Sequence, residues 1–154
     1  MQVQQLMTPA PLSCSPDTDL STAVELMWKG DFGVLPVTDD GGRVLGILTD
    51  RDICIALGTR DQAASRLKAS DVMSGAVQTC RPDEEAQSAL LAMRDMRVRR
   101  LPVVDAEGRL CGLFSINDAV LDADGGLAAA DVVETLRAIC EHRKPSGTPL
   151  VVAA

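Results

Sequence analysis

The chain has 154 residues, 46% hydrophobic and 24% charged, with 15 Lys+Arg against 22 Asp+Glu and a net charge of −7. That is enough apolar surface for a folded core, while the acidic balance and 2% aromatic content speak against nucleic acid as a partner. No run approaches the roughly 18 apolar residues of a membrane span, the start MQVQQLMTPAP lacks the features of a signal peptide, and five cysteines without CxxC spacing fit a reduced, cytoplasmic setting.

In chain order, the sequence states one plan twice. A short strand is expected around Leu12–Cys14, leading into Pro16-Asp17. An amphipathic helix follows, with Leu20, Ala23, Val24 and Met27 spaced i, i+3, i+4, i+7 and Thr18 or Asp19 as its cap. The Leu35-Pro36-Val37 strand carries its proline where a strand start or edge tolerates it. The turn from Thr38 to Arg43 returns the chain along an apolar strand, Val44 to Leu48, into a second helix. Residues 58–70 read as a linker. The order then recurs 66 positions on. It runs through a strand at Val77–Cys80, a helix with Ala86, Ala89, Leu90 and Met93 on one face and Asp83 as its cap, Leu101-Pro102-Val103, and Leu110 to Phe114. Between 7–53 and 73–119, about 15 of 47 pairs are identical without a gap, where chance gives roughly three.

The chain therefore reads as an α/β protein of α+β-like character. Two β-α-β-β-α repeats, 1–57 and 71–122, pack with pseudo-twofold symmetry. A C-terminal helix, 123–141, repeats Val132, Leu136 and Cys140 every fourth residue, and a loose tail, 142–154, ends the chain. One repeat alone buries too little apolar surface, and joining two creates a pair of related clefts, the usual place for a ligand.

The sharpest local signal is the junction between the last strand and the second helix of each repeat. Gly46-Ile47-Leu48-Thr49-Asp50-Arg51-Asp52 and Gly112-Leu113-Phe114-Ser115-Ile116-Asn117-Asp118 share a glycine, two apolar residues, Thr or Ser, and an Asp three positions on. One reading is a capping box alone. The other holds a nucleotide with the same geometry. The helix N-terminus and hydroxyl face a phosphate, the Asp accepts from a ribose diol, and the glycine lets the backbone approach closely.

With these residues, in this order and twice over, residues 3–122 resemble a tandem pair of cystathionine-β-synthase (CBS) domains, of the free-standing kind found in bacteria. The resemblance implies a non-catalytic module, usually a homodimer, that takes AMP, ADP or ATP in its clefts and regulates another protein. It implies no obligatory cofactor and no metal. It assigns Asp52 and Asp118 to the ribose, and Thr49 and Ser115 to the phosphate side. It places Phe32, Gly33 and Val34, and Val98, Arg99 and Arg100, against the base or phosphate. Met7 to Ser13 and Met73 to Thr79 match the segments whose backbone reads adenine. One cleft is expected around Thr49, Asp52, Val98 and the Met73–Gly75 segment. The other is expected around Ser115, Asp118, Arg99, Arg100 and the Met7–Pro9 segment. Because Arg99-Arg100 stands where copy one has Gly33-Val34, the second cleft is expected to suit extra phosphates.

Other residues leave alternatives. The four arginines between 94 and 100 are a solvated helix end or, through Arg99 or Arg100, a phosphate contact. Arg51 reaches a phosphate or lies on the helix surface. Cys14 and Cys80, related by the repeat, read as small buried apolar residues. The single histidine, His142, lies outside the repeat and has no evident orienting partner, so catalysis is not expected. Trp28 packs between subunits or over a cleft. The overall reading is a cytoplasmic adenine-nucleotide sensor acting on an unidentified partner. The alternative is a dimeric interaction or scaffold protein whose motifs only cap helices.

Overall fold

Each repeat is built on an antiparallel hairpin whose turn is set by one aspartate and one glycine. In copy one, β2 (Val34–Thr38) pairs with β3 (Val44–Thr49), placing Leu35 opposite Leu48 and Val37 opposite Gly46. In copy two, β4 (Arg100–Val104) pairs with β5 (Leu110–Ser115), placing Leu101 opposite Phe114 and Val103 opposite Gly112. The Asp39 carboxylate accepts from the N–H groups of Gly41 and Arg43, and Asp105 does the same for Glu107 and Arg109. Gly42 and Gly108, both at φ 80°, take the left-handed position that a side chain would strain. The computed structural model describes residues 1–122 and 125–141; the expected tail, 142–154, and His142 lie outside them.

The helices close one core per copy. Copy one carries α1 (Leu20–Gly30) and α2 (Asp50–Arg60), and copy two carries α3 (Ala86–Met96) and α4 (Ile116–Leu121). Leu20, Ala23, Met27, Leu35, Val37, Leu48 and Ile53 fill the first core; Ala86, Ala89, Leu90, Met93, Leu101, Val103 and Phe114 fill the second. The C-terminal helix, α5 (Ala129–Cys140), lies across α3 and α4, burying Val132 and Thr135, and the Thr135 hydroxyl donates to the Leu90 carbonyl at 3.4 Å. Leu90 is consequently 1% exposed, whereas its repeat partner Val24 is 43% exposed. The helical spacing that placed Val24 in the core is overruled because, among the described residues, no helix covers that face.

The copies interlock by exchanging their first turns. The 3-10 turn Val3–Gln5 docks on copy two, where Val3 N–H donates to the Glu84 carbonyl and Ala86 N–H to the Met1 carbonyl. The matching turn, Ala69–Asp71, docks on copy one, where Ala69 N–H donates to Thr18 and Leu20 N–H to Leu67. Val3 and Ala69 are 66 positions apart, and both are fully buried. Leu67 and Ala69, inside the stretch read as a linker, thus belong to the first core. β1 (Thr8–Pro9) crosses to pair with β5, with Thr8 opposite Leu113, and Ser74 makes the matching single bridge to Ile47. The hairpin tips meet at an Arg43–Arg109 bridge.

Three expectations change. Leu12–Cys14 and Val77–Cys80 are not strands: only Cys14 and Cys80 form bridges, to Val37 and Val103. Asp19 caps α1, accepting from Thr22 N–H at 3.0 Å, but Asp83 does not cap α3. It lies two residues before the cap position, which Glu85 fills while its carboxylate reaches the Met1 ammonium at 2.9 Å. Cys140 is exposed, so the buried stripe of α5 rests on Val132 and Thr135.

Candidate functional site

The two strand–helix junctions have the same hydrogen-bonding plan. The Thr49 hydroxyl donates to Asp52 Oδ2 at 2.6 Å and accepts from Asp52 N–H at 3.1 Å, while Thr49 N–H donates to Oδ2 at 3.0 Å. Ser115 repeats this with Asp118, its hydroxyl and N–H both donating to Oδ2 at 2.7 Å. Each box therefore uses one carboxylate oxygen. Among the described residues, Oδ1 of Asp52 and of Asp118 has no hydrogen-bond partner, which leaves it as an acceptor for a ligand hydroxyl. In this arrangement the serine and threonine hydroxyls donate to the aspartates as part of the cap.

The Ser115–Asp118 junction opens into a cavity of about 500 Å³ between the copies. Thr8, Ala10, Pro11 and Leu12 form one wall, the Gly30–Val34 loop after α1 another, and Arg100, Leu113, Ser115, Asn117 and Asp118 the third. The crossing of the chains explains this mixture, since β1 carries the N-terminal segment onto β5. Ala10, at φ 46°, sits in the left-handed region that a non-glycine residue adopts only when its surroundings hold it. Its N–H donates to the Cys111 carbonyl at 3.2 Å. Arg100 is half-buried and pairs with no carboxylate among the described residues.

The sequence-predicted residues divide accordingly. Ser115, Asp118, Arg100, Gly33 and Val34 meet in this cavity; Met7, Pro9 and Arg99 do not line it. Met7 packs where a side chain on Gly112 would stand, and Met73 does the same at Gly46, its Sδ 2.6 Å from the Cβ that Gly46 lacks. Pro9 lies opposite Gly112 in β1, and Gly75 is exposed just beyond the Ser74 bridge. The Arg99 carbonyl accepts from Ile116 N–H at 2.9 Å, with its side chain exposed. Val98 is half-buried, and Arg51 is exposed on α2 beside Thr49 and Asp52. Of the doubly basic Arg99-Arg100 pair, Arg100 lines this cavity, and Asp31 lines it as well.

Sequence reasoning missed Asp31, gave Asn117 no role within its motif, and covered Ala10 only as part of the Met7–Ser13 segment. The signal for Asp31 was its alignment with Arg97, a reversal of charge between copies. Arg94 and Arg97 fasten α5, through Glu134 at 3.2 Å and Glu141 at 2.8 Å. On copy one the matching face stays open as a recess of about 380 Å³ lined by Val24, Met27, Trp28, Asp31, Phe32, Gly33, Asp50 and Ile53, and Trp28 is 86% exposed.

Three of the cysteines are held as thiols by burial. Burial pushes Cys80 up to about 12, with Glu84 and Cys111 adding to the rise, and burial also raises Cys14 and Cys111. Among the described residues, no three His, Cys, Asp or Glu side chains are placed to hold a metal ion, and no helix is long and apolar enough to cross a membrane.

Comparison with known proteins agrees with this architecture. The family model for the CBS domain matches residues 3–59 and 69–122. Inosine-5′-monophosphate dehydrogenase of Mycobacterium bovis is 32% identical over 125 residues, which cover 81% of this chain but only 23% of that much longer relative. The crystal structure of CBSX2 in complex with AMP aligns with a TM-score of 0.69 at 27% identity, over 79% of this chain and 95% of that one. The CBS domain pair of protein MJ0100, in complex with 5′-methylthioadenosine and S-adenosyl-L-methionine, gives 0.73 at 23% identity, over 81% and 97%.

Proposed function

Since this chain belongs to the CBS domain family and carries two such domains in tandem, we propose that it is a regulatory module that binds an adenosine-type ligand, AMP, ADP or ATP, between its copies. In this reading it catalyses nothing itself. The observation that carries the proposal is the cavity at Ser115–Asp118, where an acceptor oxygen from copy two faces a loop and segment from copy one. A ligand held by both copies favours the arrangement that binds it best, and any shift it causes equals its differential affinity. The AMP complex of CBSX2 supports the ligand class. The match to the dehydrogenase covers 23% of that enzyme, and its reaction is not carried over.

Calorimetric titration of nucleotide-stripped protein with AMP, ADP and ATP tests the proposal. Binding of at least one with Kd on the order of micromolar, about −8 kcal/mol, is the expected result. Absorbance at 260 nm of the protein as purified reads any nucleotide carried along. No heat with any of the three and no bound nucleotide overturns the reading. Steady ATP turnover, lost in Asp52→Ala, overturns the non-catalytic part.

The open recess beside Trp28 supports a second element, a homodimer docked through the α1–α2 face, with the regulated protein as a further partner. The same recess is what favours the alternative of an interaction protein with empty clefts. Trp28→Glu is expected to turn a sedimenting dimer into a monomer; an unchanged dimer removes this face from the assembly. The free cysteines support a cytoplasmic setting.

A further inference from the structure

We propose that the Ser115–Asp118 cleft selects adenosine ligands of low charge (a nucleoside, its 5′-thioether, or at most a monophosphate) and discriminates against di- and triphosphates through Asp31. The proposal rests on the reading of this cleft as an adenosine site and names what that site accepts.

The charge of the cavity is the first ground. Asp31 and Asp118 line the cavity together with one arginine, Arg100, and one arginine serves a single phosphate. Asp31 is fixed in place by the fold: it ends α1 at φ 53°, its N–H directed at the Met27 and Trp28 carbonyls. Added phosphates bring negative charge into a space that already holds two carboxylates.

The second ground is the shortage of donors. The Ser115 hydroxyl gives its proton to Asp118. Ile116 N–H goes to the Arg99 carbonyl and Asp118 N–H to the Ser115 hydroxyl, so two of the first three amides of α4 are spent. With six residues, α4 also has little dipole to offer an anion. A ribose needs the opposite, an acceptor, and Asp118 Oδ1 supplies one.

The third ground is the repeat. Asp31, Gly33 and Asn117 of this cleft correspond, 66 positions apart, to Arg97, Arg99 and Arg51. The crossings that build the cleft are reciprocal, with Thr8 on Leu113 and Ser74 on Ile47. The same operation puts the positions of Arg99 and Arg51 in the place, relative to Thr49–Asp52, that Gly33 and Asn117 hold relative to Ser115–Asp118, while Arg97 pairs with Glu141. The cationic residues thus belong to the other junction, and in this proposal a polyphosphate belongs there.

The experiment uses the full chain carrying Asp52→Ala to silence the other junction, with circular dichroism confirming the fold. 5′-Methylthioadenosine, AMP and ATP are titrated at low and physiological salt. The first two are expected to bind about tenfold or more tightly than ATP. Adding Asp31→Asn should narrow that ratio several-fold, Asp31→Arg should close or invert it, and salt should shrink it. ATP binding as tightly as 5′-methylthioadenosine, or a ratio indifferent to Asp31→Asn, overturns the selectivity while leaving an adenosine site in place. Loss of all three ligands in Asp52→Ala, with wild-type protein still binding, shows instead that this cleft is no adenosine site and overturns the reading beneath.

Discussion

The two copies share a hairpin register, a turn aspartate and a capping box, yet among the described residues one outer face is covered and the other open. On copy two, α5 lies over α3 and α4, held by Arg94 and Arg97. On copy one, Trp28 and Asp31 stand at those two positions, and the face is left to solvent. What the copies keep is local: an aspartate folding a turn, a hydroxyl and a carboxylate capping a helix. What they vary is each helix's outer face and the loop after it. Those variations decide which surface is covered and which charges line a cleft.

The largest expected effect breaks this comparison at Leu90 and Val24, repeat partners with opposite burial. Leu90→Ala removes a side chain sealed beneath α5 and should cost about 2–5 kcal/mol. Val24→Ala should cost about 0.5 kcal/mol or less. Denaturant melts of both variants check it. Similar losses would mean that copy one's face is covered as well, for instance by a second copy, and running the melts at several protein concentrations separates that cause.

This contrast also shows how far the sequence could be read. The hairpins, the turn aspartates and the Thr49–Asp52 and Ser115–Asp118 junctions were legible because each is a short-range pattern with a physical cause inside ten residues. Val24 was not, since its spacing is that of a buried stripe and only the arrival of α5, forty residues beyond Leu90 in chain, separates the two positions. The exchanged first turns were hidden for another reason. Val3 and Ala69 need only be small or apolar and buried, and residues 1–6 share no identity with 67–72. The placing of Met7–Pro9 beside Ser115–Asp118 came only through the family resemblance, which assigned Gly33 and Val34 to neither cleft and gave Arg99 to this one.

The next effect in size lies in the ligand. Asp118→Ala removes the carboxylate oxygen that the junction offers to a ribose, and binding there should weaken by about 1.5–3 kcal/mol, some ten- to hundredfold. Asp52→Ala should leave that cleft's affinity within about twofold, because the junctions lie on different copies and separated sites act nearly independently. Both variants lose a capping box and should lose about 1 kcal/mol of stability alike. The pair thus separates cap from site: equal melting losses with unequal binding losses support two distinct clefts, while equal binding losses would mean one shared site.

The smallest effect concerns the first helix of each copy. Asp19 accepts from the Thr22 N–H and hydroxyl, and those bonds hold its carboxyl below the ordinary 3.8. A carboxyl whose pKa is lower folded than unfolded stabilises the fold above the unfolded value. That contribution fades as pH falls through the folded one. Asp19→Ala should therefore lower the melting temperature at neutral pH, and the gap from wild type should shrink as the pH drops below about 3.8. Glu85, at the matching position of copy two, makes no cap bond and holds only the Met1 ammonium at 2.9 Å, an exposed contact. Glu85→Ala should therefore shift the melt less at neutral pH. Melting curves from pH 7 to pH 2.5 decide it. If Glu85→Ala matched Asp19→Ala in size, the N-terminal segment crossing onto α3 would be doing for copy two what the aspartate cap does for copy one.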